Sequence, residues 1–287
     1  MKAGTQLAVR RMCALTGVSR AGFYRRGVSP RSAVVELRDQ VQRVALEWPT
    51  YGSRRITAEL RRGGVSVNRK RVQRLMREDN LLCLRKRKFV ATTDSGHGLR
   101  VYPNLAAALV VSGINQLWRT DITYIRLLEE FVFLAVVLDA FSRRAIGWAL
   151  DGTLEAKLAV AALEMAFERR RPAPGLVHHS DQGVQYASHE YVALLESHQV
   201  QISMSRRGNP WDNATCESFM KTLKCEEVYR SEYRNLAEAR ARIGEFLEEI
   251  YNQKRLHSSL GYRPPAEFER LQSSRPMLVA AVTQEAR

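Results

Sequence analysis

The sequence predicts an α/β protein in which a mixed β-sheet carries helices on its faces and a basic, all-helical region comes first. Three observations predict it. Apolar residues recur at helical spacing before residue 90, whereas alternating and continuous apolar runs take over beyond residue 112. Positive charge is concentrated at one end: residues 1–100 hold 23 Lys and Arg against 7 Asp and Glu, a balance of +16, while the remainder balances at −1. Finally, 287 residues with 45% hydrophobic content provide apolar material for about two domains. With 26% charged and 8% aromatic residues, the composition excludes a disordered or collagen-like chain.

Residues 14–26 read as an apolar helix end, a turn at Gly17 and a short second helix capped by Ser19, a helix-turn-helix pattern assigned to residues 1–30. The pattern returns in longer form over 31–90. Helices are expected over 34–47 and 53–62, followed by a turn over 63–67 and a helix over 69–78 capped by Asn68. In that last helix Val72, Leu75 and Met76 make an apolar stripe, while Arg69, Lys70, Gln73 and Arg74 can reach phosphates or guanine edges from the major groove. A helical hairpin with a solvated basic surface is the plainer alternative. Two such patterns in the basic third favour a polyanion-binding region. Residues 91–111, after the basic run 85–88, read as a polar linker.

Strands are expected over 117–125, 131–139 and 144–150, close enough together for an antiparallel meander. A helix over 154–169, a strand over 175–179, a helix over 189–198 and a strand over 199–204 follow. Helices over 213–227 and 236–253 complete the order βββαβαβαα in a core assigned to 112–270, with a tail over 271–287. Apolar runs such as 131–138 and 105–112 are too short to span a bilayer, and the start has no apolar leader, so a cytoplasmic protein is expected. Cys13, Cys83, Cys216 and Cys225 lie far apart, as reduced thiols do.

Three carboxylates stand out. Asp121 falls mid-strand, Asp181 directly follows the fourth strand, and Glu217 lies in the helix after the last strand. A carboxylate inside a core strand is costly unless it is paired or metal-bound. Oxygen-only donors suit Mg²⁺ or Mn²⁺ better than zinc. For Asp121 alone, an ordinary strand Asp with an Arg partner remains open.

Asp181 and Glu217 are separated by 35 residues. The segments Trp118-Arg119-Thr120-Asp121-Ile122-Thr123-Tyr124, His179-Ser180-Asp181-Gln182-Gly183-Val184-Gln185-Tyr186 and Gly208-Asn209-Pro210-Trp211-Asp212-Asn213-Ala214-Thr215-Cys216-Glu217-Ser218-Phe219 resemble the three acidic motifs of bacterial insertion-sequence transposases. They are similar to those of the two-frame group, whose second product, OrfB, has a retroviral-integrase-like core. The resemblance covers about residues 10–270. It implies an RNase H-like fold, a DDE triad of Asp121, Asp181 and Glu217, a basic residue at Lys224, and two Mg²⁺ or Mn²⁺ ions per site. It also implies DNA partners (terminal inverted repeats and target DNA), a homo-oligomer on that DNA, an OrfA product or OrfA-OrfB fusion, and a nucleoid-associated location.

Helical phase puts Asn213, Glu217, Lys221 and Lys224 on one face, beside a phosphodiester if Glu217 holds metal. An exposed Glu–Lys pair is the commoner meaning of that spacing. Asp139 reads as a turn-former rather than a rival acid. His179 reads either as a group orienting Asp181 or touching DNA, or as a solvated strand-end residue. Trp118, Trp148 and Trp211 read as packing, with base stacking open for Trp211. Tyr251 and His257 crowd one helix end without the upstream Arg motif of a tyrosine recombinase. The expected function is metal-dependent DNA strand cleavage and transfer at element ends. A catalytically silent DNA-binding regulator and a general nuclease of the same fold are the alternatives.

Overall fold

The computed structural model describes residues 9–17, 19, 30–81, 99–206 and 209–273. The chain divides into two compact units, Met1–Leu84 and Arg85–Arg287.

In the first unit, α1 (Val9–Thr16) ends at Gly17, whose φ of +66° is the left-handed conformation glycine tolerates. The short helix expected after Ser19 lies outside the described residues, as does the basic run 85–88. Helix α2 (Pro30–Glu47) begins earlier than the periodicity suggests, since proline suits the first helical position. Helices α3 (Ser53–Arg62) and α4 (Arg69–Glu78) have the expected limits. Asn68 caps α4 by accepting the Lys70 N–H at 2.8 Å. Leu37, Val41, Tyr51, Ile56, Leu60, Val72, Leu75 and Met76 form a small core. Arg69, Lys70 and Arg74 stay exposed and Gln73 is half-buried, so α4 presents its cationic face outward.

The second unit is built on a five-stranded sheet ordered β3-β2-β1-β4-β5. Its strands are β1 (Leu117–Arg126), β2 (Phe131–Asp139), β3 (Ala145–Asp151), β4 (Val177–Ser180) and β5 (Gln201–Met204). The first three pair antiparallel, and β4 and β5 run parallel to β1. This is the RNase H-like arrangement expected above. Helices α5 (Ala156–Arg170) and α6 (His189–Ser197) cover one face over Trp118, Ala135, Val137 and Ile146. The other face buries Ile125, Leu134, Val136 and Leu138 under α7 (Ala214–Glu226) and α8 (Leu236–Glu245).

Three elements differ from expectation. The helix expected over 213–227 is present as α7 from Ala214 to Glu226, but a 3₁₀ turn over Pro210–Asn213, capped by Asn209, precedes it and takes Asn213 out of the helix. The helix expected over 236–253 becomes a π-helix over Phe246–Lys254. Within it the Asn252 amide donates to the Ala145 carbonyl at 2.9 Å and accepts its N–H at 3.0 Å, closing the free edge of β3. A further helix, α9 (Pro265–Ser273), follows at the end of the region assigned to the core, where no helix was expected. Among the described residues no helix is long and apolar enough to cross a membrane. Cys13, Cys216 and Cys225 are free thiols, and Cys83 lies outside the described residues.

Candidate active site

Strand register brings the first two acids together. Arg119 of β1 lies opposite His179 of β4 in a parallel ladder. Two residues beyond that pair, Asp121 on β1 and Asp181 just past the end of β4 lie close enough for the Asp181 charge to raise the Asp121 carboxyl. The β4 ladder ends at Ser180, so Asp181 is released into a tight turn. There its Oδ1 accepts the Gly183 N–H at 2.9 Å. A Cβ on Gly183 would come within 3.0 Å of that same oxygen, so glycine permits the approach.

Asp121 is half-buried and accepts the Ile122 N–H at 2.9 Å. Burial, then the negative charges of Asp181 and Glu217, push its carboxyl up to about 8. Tyr186, buried beneath, is also held well above the usual phenol range by burial and by both Asp charges. Glu217 is exposed in the first turn of α7, and its field at Asp121 is weaker than that of Asp181. Among the described residues, no three Asp, Glu, His or Cys side chains close to metal-binding distance. The two aspartates therefore form a pair, with Glu217 at its rim.

Lys224 corrects the expected helix face. It is only 5% exposed, and its ammonium lies 4.3 Å from the Tyr124 ring centroid of β1. Burial lowers its pKa to about 8, against the opposing pull of Asp121. It thus lies inward of the stripe, near Asp121, while Lys221 remains exposed. Asn213 also leaves that stripe, because the 3₁₀ turn breaks helical phase ahead of α7. Its buried amide donates to the Thr120 carbonyl at 3.1 Å, and its Oδ1 has no hydrogen-bond partner.

His179 fits neither expectation. Its ring is fully buried between Ser203 Oγ at 2.8 Å and Ser205 Oγ at 3.0 Å, and burial first, then Arg119, lowers its pKa to about 4. It is a neutral brace between β4 and the end of β5. Asp139 is the turn-former expected: its carboxylate accepts the backbone N–H groups of Asn115, Phe141 and Ser142 at 2.7–3.0 Å. Trp118 is fully buried and the Trp148 indole donates to Glu248, but Trp211 is 83% exposed, contrary to a packing role.

Sequence reasoning assigned no role to Arg119, Arg143 or Tyr186. Arg119 donates to the Asp212 carbonyl, and Arg143 donates to Thr215 Oγ1 at 2.9 Å, so both hold the approach to α7. Only the position of Arg119 and Tyr186 inside the acidic motifs signalled them.

Integrase core domain families match residues 112–210 and 198–265, and an HTH-like domain family matches 34–89. The insertion element IS600 uncharacterized 31 kDa protein of Shigella sonnei is 39% identical over 266 residues, covering 90% of this chain and 97% of its own. Transposase InsF for insertion sequence IS3A of Escherichia coli K12 is 36% identical over 272 residues, covering 92% of this chain and 94% of its own. The chain belongs to the insertion-sequence transposases. As a transposase it is a polynucleotidyl transferase with an integrase core. The HTLV-2 integrase catalytic core domain in complex with magnesium overlaps 54% of the transposase and 96% of its own length, at 15% identity and a TM-score of 0.42.

Proposed function

We propose that Asp121, Asp181 and Glu217 are the catalytic acids of this transposase and hold Mg²⁺ or Mn²⁺, two ions per active site, while element ends and target DNA are cut and joined. The observation that carries this is the state of Asp121. Burial and the charges of Asp181 and Glu217 push its carboxyl up to about 8, a repulsion that a divalent cation among these oxygens would offset. The donor set is all oxygen, as a hard divalent ion requires, and the unpartnered Asn213 Oδ1 adds a buried acceptor suited to an incoming water or hydroxyl. Bound there, the metal would supply charge neutralisation and activation of the attacking oxygen in phosphoryl transfer.

The chain's own residues supply position. Asp121 is fixed on the central strand, and Asp181 is held just beyond the end of β4 by the turn in which it accepts the Gly183 N–H. Glu217, exposed in the first turn of α7 and close enough for its charge to raise Asp121, completes the set. Lys221, exposed one turn further along, is placed to hold a phosphate, whereas Lys224 supports Asp121 from within. The division of labour proposed for the rest follows charge. Residues 1–90, with Arg69, Lys70, Gln73 and Arg74 on α4, bind the terminal repeats, residues 91–111 connect, residues 112–270 carry the chemistry, and 271–287 form a tail. Assembly as a homo-oligomer on DNA, with an OrfA product or fusion, in the nucleoid-containing cytoplasm, completes the proposal.

Incubating the protein with duplexes carrying the terminal repeats and Mg²⁺ tests it. Asp121→Asn, Asp181→Asn and Glu217→Gln are each expected to abolish cleavage and joining while duplex binding persists. Near-wild-type activity in any one would remove that residue from the triad.

A further inference from the structure

Trp211 is 83% exposed, although Trp118 is fully buried and Trp48 and Trp148 are half-buried. Single exposed aliphatic side chains are ordinary on a protein surface. Trp211 differs because its backbone is pinned on both sides. The Asn209 side chain accepts its N–H at 3.2 Å. The next residue, Asp212, accepts from the Arg206 backbone N–H at 2.9 Å and from the Nε and Nη2 groups of its guanidinium at 3.0 Å each. Arg119 donates to the Asp212 carbonyl and Asn213 donates to the Thr120 carbonyl, so the turn is stitched to β1 at the two residues preceding Asp121. An indole is thereby held out into solvent on a braced turn, at the rim of the acidic pair.

The surroundings point to the chemistry of its occupant. Arg206, 68% exposed, pairs with Asp212 next to Trp211, and Arg119, which donates to the Asp212 carbonyl, lies near enough to Arg143 to feel its charge. A flat aromatic face among guanidinium groups is what a nucleotide strand requires, stacking for a base and cations for its phosphates. A base inside a duplex is stacked on both faces and offers none to the indole, whereas an unpaired base at a strand end is free to turn onto it.

We propose that Trp211 is a stacking platform for an unpaired base at the end of the DNA strand that enters the Asp121–Asp181 site. This rests on the transposase reading and adds a positioning residue to it. Stacking would hold a frayed end open and fix the strand relative to the acids, without selecting a particular sequence.

Because stacking is sequence-tolerant, the test needs no knowledge of the natural ends. The probe is a duplex with a short single-stranded overhang bearing fluorescent aminopurine, compared with its blunt counterpart. Wild-type protein is expected to quench the aminopurine, and Trp211→Ala to lose the quench and bind the overhang about tenfold more weakly, with blunt-duplex affinity and thermal stability unchanged. Trp211→Phe should restore part of the quench, whereas the equally apolar Trp211→Leu should not. In Mg²⁺ with terminal-repeat duplexes, Trp211→Ala should cut and join slowly, and mismatches that unpair the end in advance should rescue it. Equal quenching by wild type and Trp211→Ala overturns the proposal, as does Trp211→Leu behaving like Trp211→Phe, which would mark an apolar protein contact. If wild-type protein neither cuts nor joins any terminal repeat, the catalytic assignment fails, and the aminopurine comparison still decides the role of Trp211.

Discussion

Lys224 lies two turns past Glu217, as helical spacing requires, yet it is buried over Tyr124 and electrostatically tied to Asp121. Its positive charge opposes the forces that raise Asp121, so Lys224→Ala should push that carboxyl higher still. The expected result is an Asp121 carboxyl that titrates above about 8 in metal-free protein, with part of the shift reversed by Lys224→Arg; a carboxyl NMR titration in chelator checks it. Asp121 makes a second prediction, in stability. Its pKa rises from the ordinary 3.8 to about 8 in the folded protein, so its proton favours the native state. That contribution is complete below about pH 4 and is lost as pH climbs through about 8. In chelator, the melting temperature of wild type relative to Asp121→Asn should therefore fall across that window, and Mg²⁺ should reverse the fall. That Asp121, Asp181 and Glu217 lie near one another was legible in the sequence, because long ordered motifs surround them. The burial of Lys224 and His179 was not, since it depends on which strand each faces, and residue spacing carries no information about that.

Elements defined by their own periodicity were the legible ones. Helices α3 and α4 and strand β2 match their expected limits because apolar spacing and capping residues are local signals. The 3₁₀ turn before α7 and the π-helix after α8 were hidden, since long-range bonds accompany each: Asn213 to β1, and Asn252 to the β3 edge. Two predictions belong to this scale. Gly147 of β3 lies against α5, where a Cβ would meet the Ala162 carbonyl oxygen at 2.1 Å and the Ala166 nitrogen at 2.8 Å. Gly147→Ala should force β3 and α5 apart and cost about 1–3 kcal/mol or more, read as a lower denaturation midpoint. In β4, His178 and His179 are held neutral by burial, with pKa values lowered from 6.5 to about 3 and about 4. Their contribution is full above pH 6.5 and is lost as pH falls through those values. Acid unfolding should therefore steepen below pH 6.5, and Tyr191, whose hydroxyl lies 2.9 Å from His178 Nε2, should become solvent-exposed in the same transition.

At the scale of the whole molecule, the separation of a basic unit from a near-neutral one was visible in charge alone, and a mixed sheet followed from strand and helix alternation, whereas the strand order did not. A fragment of residues 1–95 is expected to bind duplex DNA without metal, with log affinity falling against log salt at a slope of about −0.9 per phosphate contacted. Arg69→Ala or Arg74→Ala should weaken binding to terminal repeats more than to random duplex, as measured by competition; equal losses would make α4 a phosphate contact. The sheet order has one more effect. Strand β1 is flanked by β2, its immediate successor, and by β4, which arrives only after β3 and α5 have been made. Asp121 therefore emerges from the ribosome long before its partner acids, and a chain that stops short of residue 200 retains the basic helices and the meander but neither β5 nor Glu217. On the proposed division of labour, a gene copy shortened there does not encode a weaker enzyme. It encodes a competitor that occupies the element's ends and protects them from its full-length relatives.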